Sequence, residues 1–340
     1  MTSLPRNGCY LLCVLLAALC GCNRSTARRE VVVYVAVDRR DAEPILKQFE
    51  EESGFQVRAL YDAEAAKTTG LVTRLVAESE RPRCDVFWNN EVVQTLLLAE
   101  RGLLESYRSP NSEGIPDRLR DPADRWTGIA TRTRVIVYNT TLVEPSEVPR
   151  TLHELGDSKW KGKVAVANPM FGTTRTHIAA LYAEWGANAT QAWLGRLLEN
   201  DVRIVDGNAM VKNLVARARS DASPILVGLT DTDDVCSGQS DGEPIDFVYP
   251  DQAGEGAFVV PATVCMIKRG PNQDAARVLI DFLVSAAAEA ALTTEGTGYS
   301  PVRSSKPTSG QQPHTIDVSY SNLLEHLGPS TEWTSQHFHH

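Results

Sequence analysis

From residue 31 onward the chain alternates between two hydrophobic rhythms. VVVYVAV (31–37) is an unbroken β-branched run of the kind that suits a strand buried on both faces. DAEPILKQFEEESG (41–54) follows, with Ile45, Leu46 and Phe49 on one helical face, Asp41 as a candidate N-cap and Gly54 as the stop. The exchange then recurs. FQVRAL precedes a predicted helix over residues 64–78, CDVFW (84–88) precedes EVVQTLLLAERG, VRIVDG (202–207) precedes NAMVKNLVARARS, and PILVGL (224–229) leads into TDTDD. Repeated βα units predict parallel sheets flanked by helices, and in open sheets of that kind ligands sit at the carboxyl ends of the strands.

That rule picks out four polar clusters. Asp38 ends the first run; Asn89, Asn90 and Glu91 follow CDVFW; Phe171, Gly172, Thr173 and Thr174 follow GKVAVANP; and Thr230 to Asp234 follow PILVGL. Their common placement predicts one cleft between two lobes.

The first 21 residues are of another kind. One basic residue, Arg6, precedes the apolar stretch YLLCVLLAALCG, which has the layout of an export signal and is too short to span a bilayer as a helix. LCGC (19–22) resembles the lipobox of bacterial lipoproteins, which makes Cys22 the expected lipidated N-terminus and NRSTARR (23–29) a polar tether. Export and a lipid anchor, on the periplasmic or cell-surface side, are therefore expected. Beyond Cys22 three cysteines remain, Cys84, Cys236 and Cys265, with no CxxC or His/Cys cluster of zinc spacing; they are expected as small buried hydrophobes. The formal charge of −9, with no Lys/Arg cluster, disfavours nucleic acid and anionic membrane surfaces as partners.

Five stretches in order, VVVYVAVDRRDAEPILKQFEEESGFQVRAL, CDVFWNNE, TRTRVIVYNTTLV (131–143), DSKWKGKVAVANPMFGTTRTH (157–177) and FVVPATVCMIKRGPNQDAARVLIDFLVS (258–285), resemble the extracytoplasmic solute-binding proteins of ABC transporters, in particular the class of the ferric-ion-binding proteins. The resemblance implies a two-lobed α/β fold, the type II periplasmic-binding-protein fold. Each lobe is then a mixed, mostly parallel sheet flanked by helices, and crossover strands near 130–136 and 256–262 join the two. The implied layout is leader 1–21, tether 22–29, lobe 1 from 30–133 plus 258–290, and lobe 2 from 134–257 plus 291–340. It also implies a monomer that closes on a small ligand or metal ion and docks on a membrane permease, with no catalytic residues and no cofactor.

The tyrosine pair that holds iron in those proteins is missing. Asp233 and Asp234 stand at its positions, Asp38 stands where a His is often found, and Glu91 keeps the carboxylate after CDVFW. Asp38, Glu91, Asp231, Asp233 and Asp234 form an acidic, oxygen-only set that suits iron(III) or another hard cation, with Glu91, Asp233 and Asp234 as the metal ligands. Crowded carboxylates couple such binding to proton release. The resemblance further implies an anion held by Gly172, Thr173 and Thr174 at a helix N-terminus, which otherwise is a plain cap of a helix over 174–185. Tyr299 returns to the cleft on a late loop, His177 is expected to pack, and Arg132 and Arg134 contact an anion or brace the hinge.

Other readings stay open. An organic solute, such as a cation walled by Trp88, Tyr34 or Trp126, or a phosphonate, meets the same cleft. Capping accounts for the aspartates without any ligand, most simply for Asp231. DTDDV has the outline of a haloacid-dehalogenase-like phosphatase loop but lacks that mechanism's later acidic pair, and no GxSxG, GxxxxGK[ST] or HExxH is present. A ligand-sensing lipoprotein would share the fold with a transport component.

Overall fold

The computed structural model describes residues 29–62, 69–219, 224–303 and 313–338. The predicted leader, Cys22 and the tether up to residue 28 lie outside the described residues, as does the start of the helix expected from residue 64. Among the described residues no helix is long and apolar enough to cross a membrane.

VVVYVAV lies at the middle of the first lobe. Strand β1 (Glu30–Val35) pairs in parallel with β2 (Gln56–Tyr61) on one side and with β3 (Val86–Asn89) on the other. Val31, Val33 and Val35 are buried and Val32 is half-buried, as befits a strand whose sheet is covered by helices. Helix α1 (Arg39–Ser53) buries Ala42, Ile45, Leu46 and Phe49 and ends at Gly54 in the left-handed conformation, where φ is 68° and a side chain would be strained. The helix begins at Arg39, so the residue at its N-cap is Asp38 and the expected capping by Asp41 is corrected; Asp41 sits in the first turn. Helix α2 (Thr69–Ala77), helix α3 (Val92–Glu100) and the short β4 (Leu104–Glu105) complete this part of the lobe.

The strand β5 (Thr127–Asn139) is long enough to belong to two sheets. Thr127 to Thr133 pair antiparallel with β10 (Val259–Ile267), and Arg134 to Asn139 pair antiparallel with β8 (Val227–Asp231) and β9 (Ile245–Val248). The sheet therefore runs β2-β1-β3-β10-β5-β8-β6-β7, with β6 (Val164–Ala167) and β7 (Arg203–Val205) parallel to their neighbours in the second lobe. Helices α4 (Gly172–Glu184), α5 (Ala187–Glu199), α6 (Asn208–Ala216) and α7 (Thr232–Ser240) flank that lobe, and α8 (Gln273–Leu283) and α9 (Ala286–Leu292) return to the first. The last helix, α10 (Tyr320–His337), packs on α4 and on α3, so it touches both lobes.

Gly228 matters to the site. A Cβ there would collide with Val211 of α6 and lie 3.0 Å from the Ala165 carbonyl. The missing side chain lets α6 approach the sheet, which brings Asn208 at its N-terminus to the end of β8.

Far from that end, Asp251 is a buried carboxylate on a turn with φ 56° whose Oδ2 accepts from the Leu152 amide at 3.3 Å. Burial pushes its pKa up to about 6, and that single amide does not offset the effect. A folded value above the unfolded one means that its contribution is present at low pH and lost as pH rises through about 6. Asp251→Asn, which keeps the acceptor and tolerates the backbone, is expected to stabilise the protein by about 1 kcal/mol at neutral pH and by nothing near pH 4. Urea midpoints at the two pH values test this, and an equal effect at both would contradict it.

Candidate functional site

TGIATRTRVIVYN carries two arginines two residues apart, and side chains alternate along a strand. Arg132 and Arg134 therefore share one face of β5 while Thr131 and Thr133 take the other. The β5–β8 register sets Arg134 directly opposite Asp231. Its Nη1 donates to Asp231 Oδ1 at 2.7 Å, and both side chains are fully buried. The other oxygen, Asp231 Oδ2, accepts from Thr173 Oγ1 and from Asn208 Nδ2, each at 2.9 Å. In the first turn of α7, Asp233 Oδ2 accepts from Arg132 Nη1 at 2.7 Å, and Arg132 Nη2 donates to the Asn90 carbonyl at 2.8 Å.

The acidic set expected from the sequence is thus two ion pairs plus further carboxylates. Burial pushes the Asp231 carboxyl up, but the guanidiniums of Arg134 and Arg132 overcome it and hold the group below the ordinary carboxylate value. For Asp233 burial wins. Arg132 offsets it in part, while the charges of Asp231 and Asp38 add to it, and the carboxyl stands above its ordinary value. Asp231 occupies the N-cap position of α7 but makes no capping bond, so the capping reading is corrected there: its oxygens are taken by Arg134, Thr173 and Asn208.

Glu91 is the residue that caps. It stands before α3, where its Oε1 accepts from the Val93 amide at 2.9 Å and its Oε2 from the Gln94 amide at 3.0 Å. Thr176 of α4 donates to the same Oε1 at 2.6 Å, which ties the two lobes together across the cleft. Both oxygens thus accept hydrogen bonds that brace the cleft, and a carboxylate with about four lone-pair sites keeps further acceptor capacity. Asn89 sits within β3 and donates to Thr95 Oγ1 at 2.9 Å, and Asn90 supplies its carbonyl to Arg132.

Helix α4 opens at Gly172, two residues before the expected start. The Thr173 and Thr174 hydroxyls accept from Arg134 at 3.3 Å. His177 packs with its ring parallel to Phe258 at 5.4 Å. The aromatic walls proposed for an organic cation are corrected as well. Trp88, Tyr34 and Trp126 are buried in the core, and the Tyr34 hydroxyl donates to Glu78 at 2.8 Å. Of the cysteines, Cys84 and Cys265 are buried as expected, whereas Cys236 is half-buried; all three are free thiols.

Three of the aspartates lie close together. Asp231, Asp233 and Asp234 each offer an oxygen within 4.8 Å of the others. Asp233 Oδ1 and Tyr299 Oη are buried and have no hydrogen-bond partner among the described residues. Burial first, and then the Asp233 charge, drives the Tyr299 phenol well above its ordinary value. Asp38, half-buried at the end of β1, adds its charge to both. Tyr299 also lines a cavity of about 200 Å³ together with Thr131, Thr133, Thr232 and Ser300, on the face of β5 away from the arginines.

Residues 85–319 match the family described as bacterial extracellular solute-binding protein. The chain belongs to that family. Among its relatives in it, iron uptake protein A1 of Synechocystis is 28% identical over 310 residues, covering 89% of this chain and 84% of that one. The Fe(3+)-binding periplasmic protein of Serratia marcescens is 23% identical over 274 residues, covering 81% and 79%. Iron-bound HitA from Pseudomonas aeruginosa superposes with a TM-score of 0.79 at 19% identity over 90% of this chain and 98% of that one, which shows the shared two-lobed fold. The family's description is that of proteins that bind a solute.

Two parts of this binding protein's site were missed from sequence: the pairing of Arg132 and Arg134 with the aspartates, and the supporting Asn208 and Thr176. The first had a signal. Two cations on one face of an otherwise apolar strand cannot be buried unpaired, so carboxylates had to face them.

Proposed function

We propose that this chain is the extracytoplasmic solute-binding component of an ABC importer and that its cargo is iron(III) or a hard cation like it, delivered to a membrane permease. The observation that carries the reading is the pair of orphaned oxygens, Asp233 Oδ1 and Tyr299 Oη, both buried, with the charges of Asp233 and Asp38 acting on the phenol and an oxygen of Asp234 within 4.8 Å of Asp233. Buried polar atoms without partners are few in folded proteins and call for an explanation. A carboxylate and a phenol are both hard oxygen donors, and a phenol can replace in kind one member of the missing tyrosine pair. The names of the relatives point the same way. In this proposal Asp233, Asp234 and Tyr299 contact the cargo, Asp38 adds charge at the mouth, and Asp231 holds the arginines in place. Lipidation at Cys22 would keep the protein at the membrane surface beside its permease.

The test is calorimetric titration of the chelator-stripped protein, residues 23–340, with iron(III) nitrilotriacetate. Saturable binding is expected. Tyr299→Phe, which removes one oxygen and leaves the ring packing intact, is expected to weaken it by about 100-fold, the scale of a lost charged contact of about 3 kcal/mol. Equal affinity of Tyr299→Phe and the parent protein would remove Tyr299 from the site, and no heat with any trivalent or divalent ion would remove the cation reading itself.

A further inference from the structure

The two buried aspartates are held very differently. Asp231 has Arg134 opposite it in the strand register, and Thr173 and Asn208 on its second oxygen. Asp233 lies beyond the last paired residue of β8, and Arg132 is the side chain that donates to it, through Oδ2 alone. Arg132 is buried, reaches Asp231 Oδ2 at a looser 3.4 Å, and keeps its second Nη on the Asn90 carbonyl. Its Nε has no partner among the described residues. Neighbouring Asn89 carries an oxygen, Oδ1, that is buried and equally without a partner. The guanidinium is therefore anchored at one end, while the segment that anchors it holds an unfilled acceptor.

From this arrangement we infer that Arg132 is a counter-ion which a cationic cargo must displace from Asp233, and that it sets the affinity threshold of the cleft. The inference rests on the cation reading proposed above. A cation that draws on both oxygens of Asp233 has to take Oδ2 from Arg132, because one carboxylate oxygen in a tight cleft cannot serve two cations at full strength. Breaking the Arg132–Asp233 pair is a fixed cost for every cation, whatever its charge. Ions whose attraction to Asp233, Asp234 and Tyr299 greatly exceeds that cost bind, and weakly attracted ions fall below useful affinity. Arg134 cannot play this part, since the register and four further hydrogen bonds, to Thr173, Asn208, Thr174 and the Leu229 carbonyl, hold it on Asp231. Arg132, anchored through Asn90, can turn about that contact and still keep a hydrogen bond.

The prediction distinguishes a displaced counter-ion from a structural brace. Arg132→Gln removes the competing charge and keeps a donor for the Asn90 carbonyl. Its affinity for iron(III), measured by competition with nitrilotriacetate, and for manganese(II), measured directly, is expected to rise by about tenfold each. A brace predicts the opposite, a loss for both ions. A parent protein that binds iron(III) while a cooperatively melting Arg132→Gln binds it no more tightly would overturn the inference and leave the cation reading standing. Absence of binding to either ion in both proteins would end both.

If Arg132→Gln does not fold, the parent protein still decides. Arginine side-chain ¹⁵N spectra are recorded with and without gallium(III), a diamagnetic trivalent ion, and the Arg132 signal is assigned from its loss in Arg132→Lys. A shift of the Arg132 guanidinium at saturation supports displacement, and an unmoved signal refutes it.

Discussion

Asp231→Ala is expected to destabilise the protein by about 3–5 kcal/mol, because it leaves Arg134 charged and unpaired at a fully buried position. Arg134 Nη1 loses its 2.7 Å partner, and Thr173 and Asn208 lose the oxygen they both donate to. Water cannot easily substitute, since the group lies between β5, β8 and the start of α4. The companion variant, Arg134→Met with Asp231→Leu, removes both charges and should recover most of that loss, as replacement of a buried ion pair by apolar side chains of similar volume often does. Urea midpoints of Arg134→Met, Asp231→Leu and the double variant measure the coupling. A double variant as unstable as the worse single one would mean that the pair is not what fixes the register at this point.

Gly298→Ala should be nearly as severe, and it should reach the cargo as well. Gly298 has φ 75°, where an L side chain is strained. A Cβ there would stand 2.5 Å from the Thr232 carbonyl oxygen and from the Asp233 Cα, both backbone atoms that cannot rotate away. The loop is held at this point because Thr232 Oγ1 donates to the Gly298 carbonyl at 2.6 Å. Strain of about 1–2 kcal/mol together with the clash must be relieved by moving the loop outward. Tyr299, the next residue, moves with it, away from Asp233. Loss of at least about 2 kcal/mol of stability and a fall of about 100-fold or more in iron(III) affinity are expected, the first read from denaturant unfolding and the second from calorimetry. Wild-type affinity in a Gly298→Ala protein would show that the late loop does not help to form the site.

The strand runs and the helical faces were legible because local hydrophobic periodicity reports what each segment buries. VVVYVAV became the two-face-buried β1, and Ile45, Leu46 and Phe49 became the buried side of α1. Element ends were less legible. Helix α1 starts at Arg39 and leaves Asp41 inside its first turn, and β8 runs two residues further than PILVGL to make Asp231 a strand residue. In both places a polar residue could equally cap or continue; the local bonds of the Asp41 and Ala42 amides to the Asp38 carbonyl decided the first, and pairing with the distant β5 decided the second.

The sequence by itself determined that strand ends converge on one polar cleft, that this cleft is rich in carboxylates, and that the chain has the βα order of a two-lobed binding fold. Those properties follow from local patterning and from the chirality of βα connections. Only the tertiary structure decided how the charges are balanced. Arg134 meets Asp231 across 97 positions of sequence, and Arg132 meets Asp233 across 101. Nothing near either residue encodes those encounters: the first arises from the register of β5 against β8 and the second from where the helix after β8 begins, and a one-residue slip of β5 would turn both arginines to the opposite face. Tertiary packing likewise leaves Asp233 Oδ1 and Tyr299 Oη, with Asn89 Oδ1, buried and without partners among the described residues.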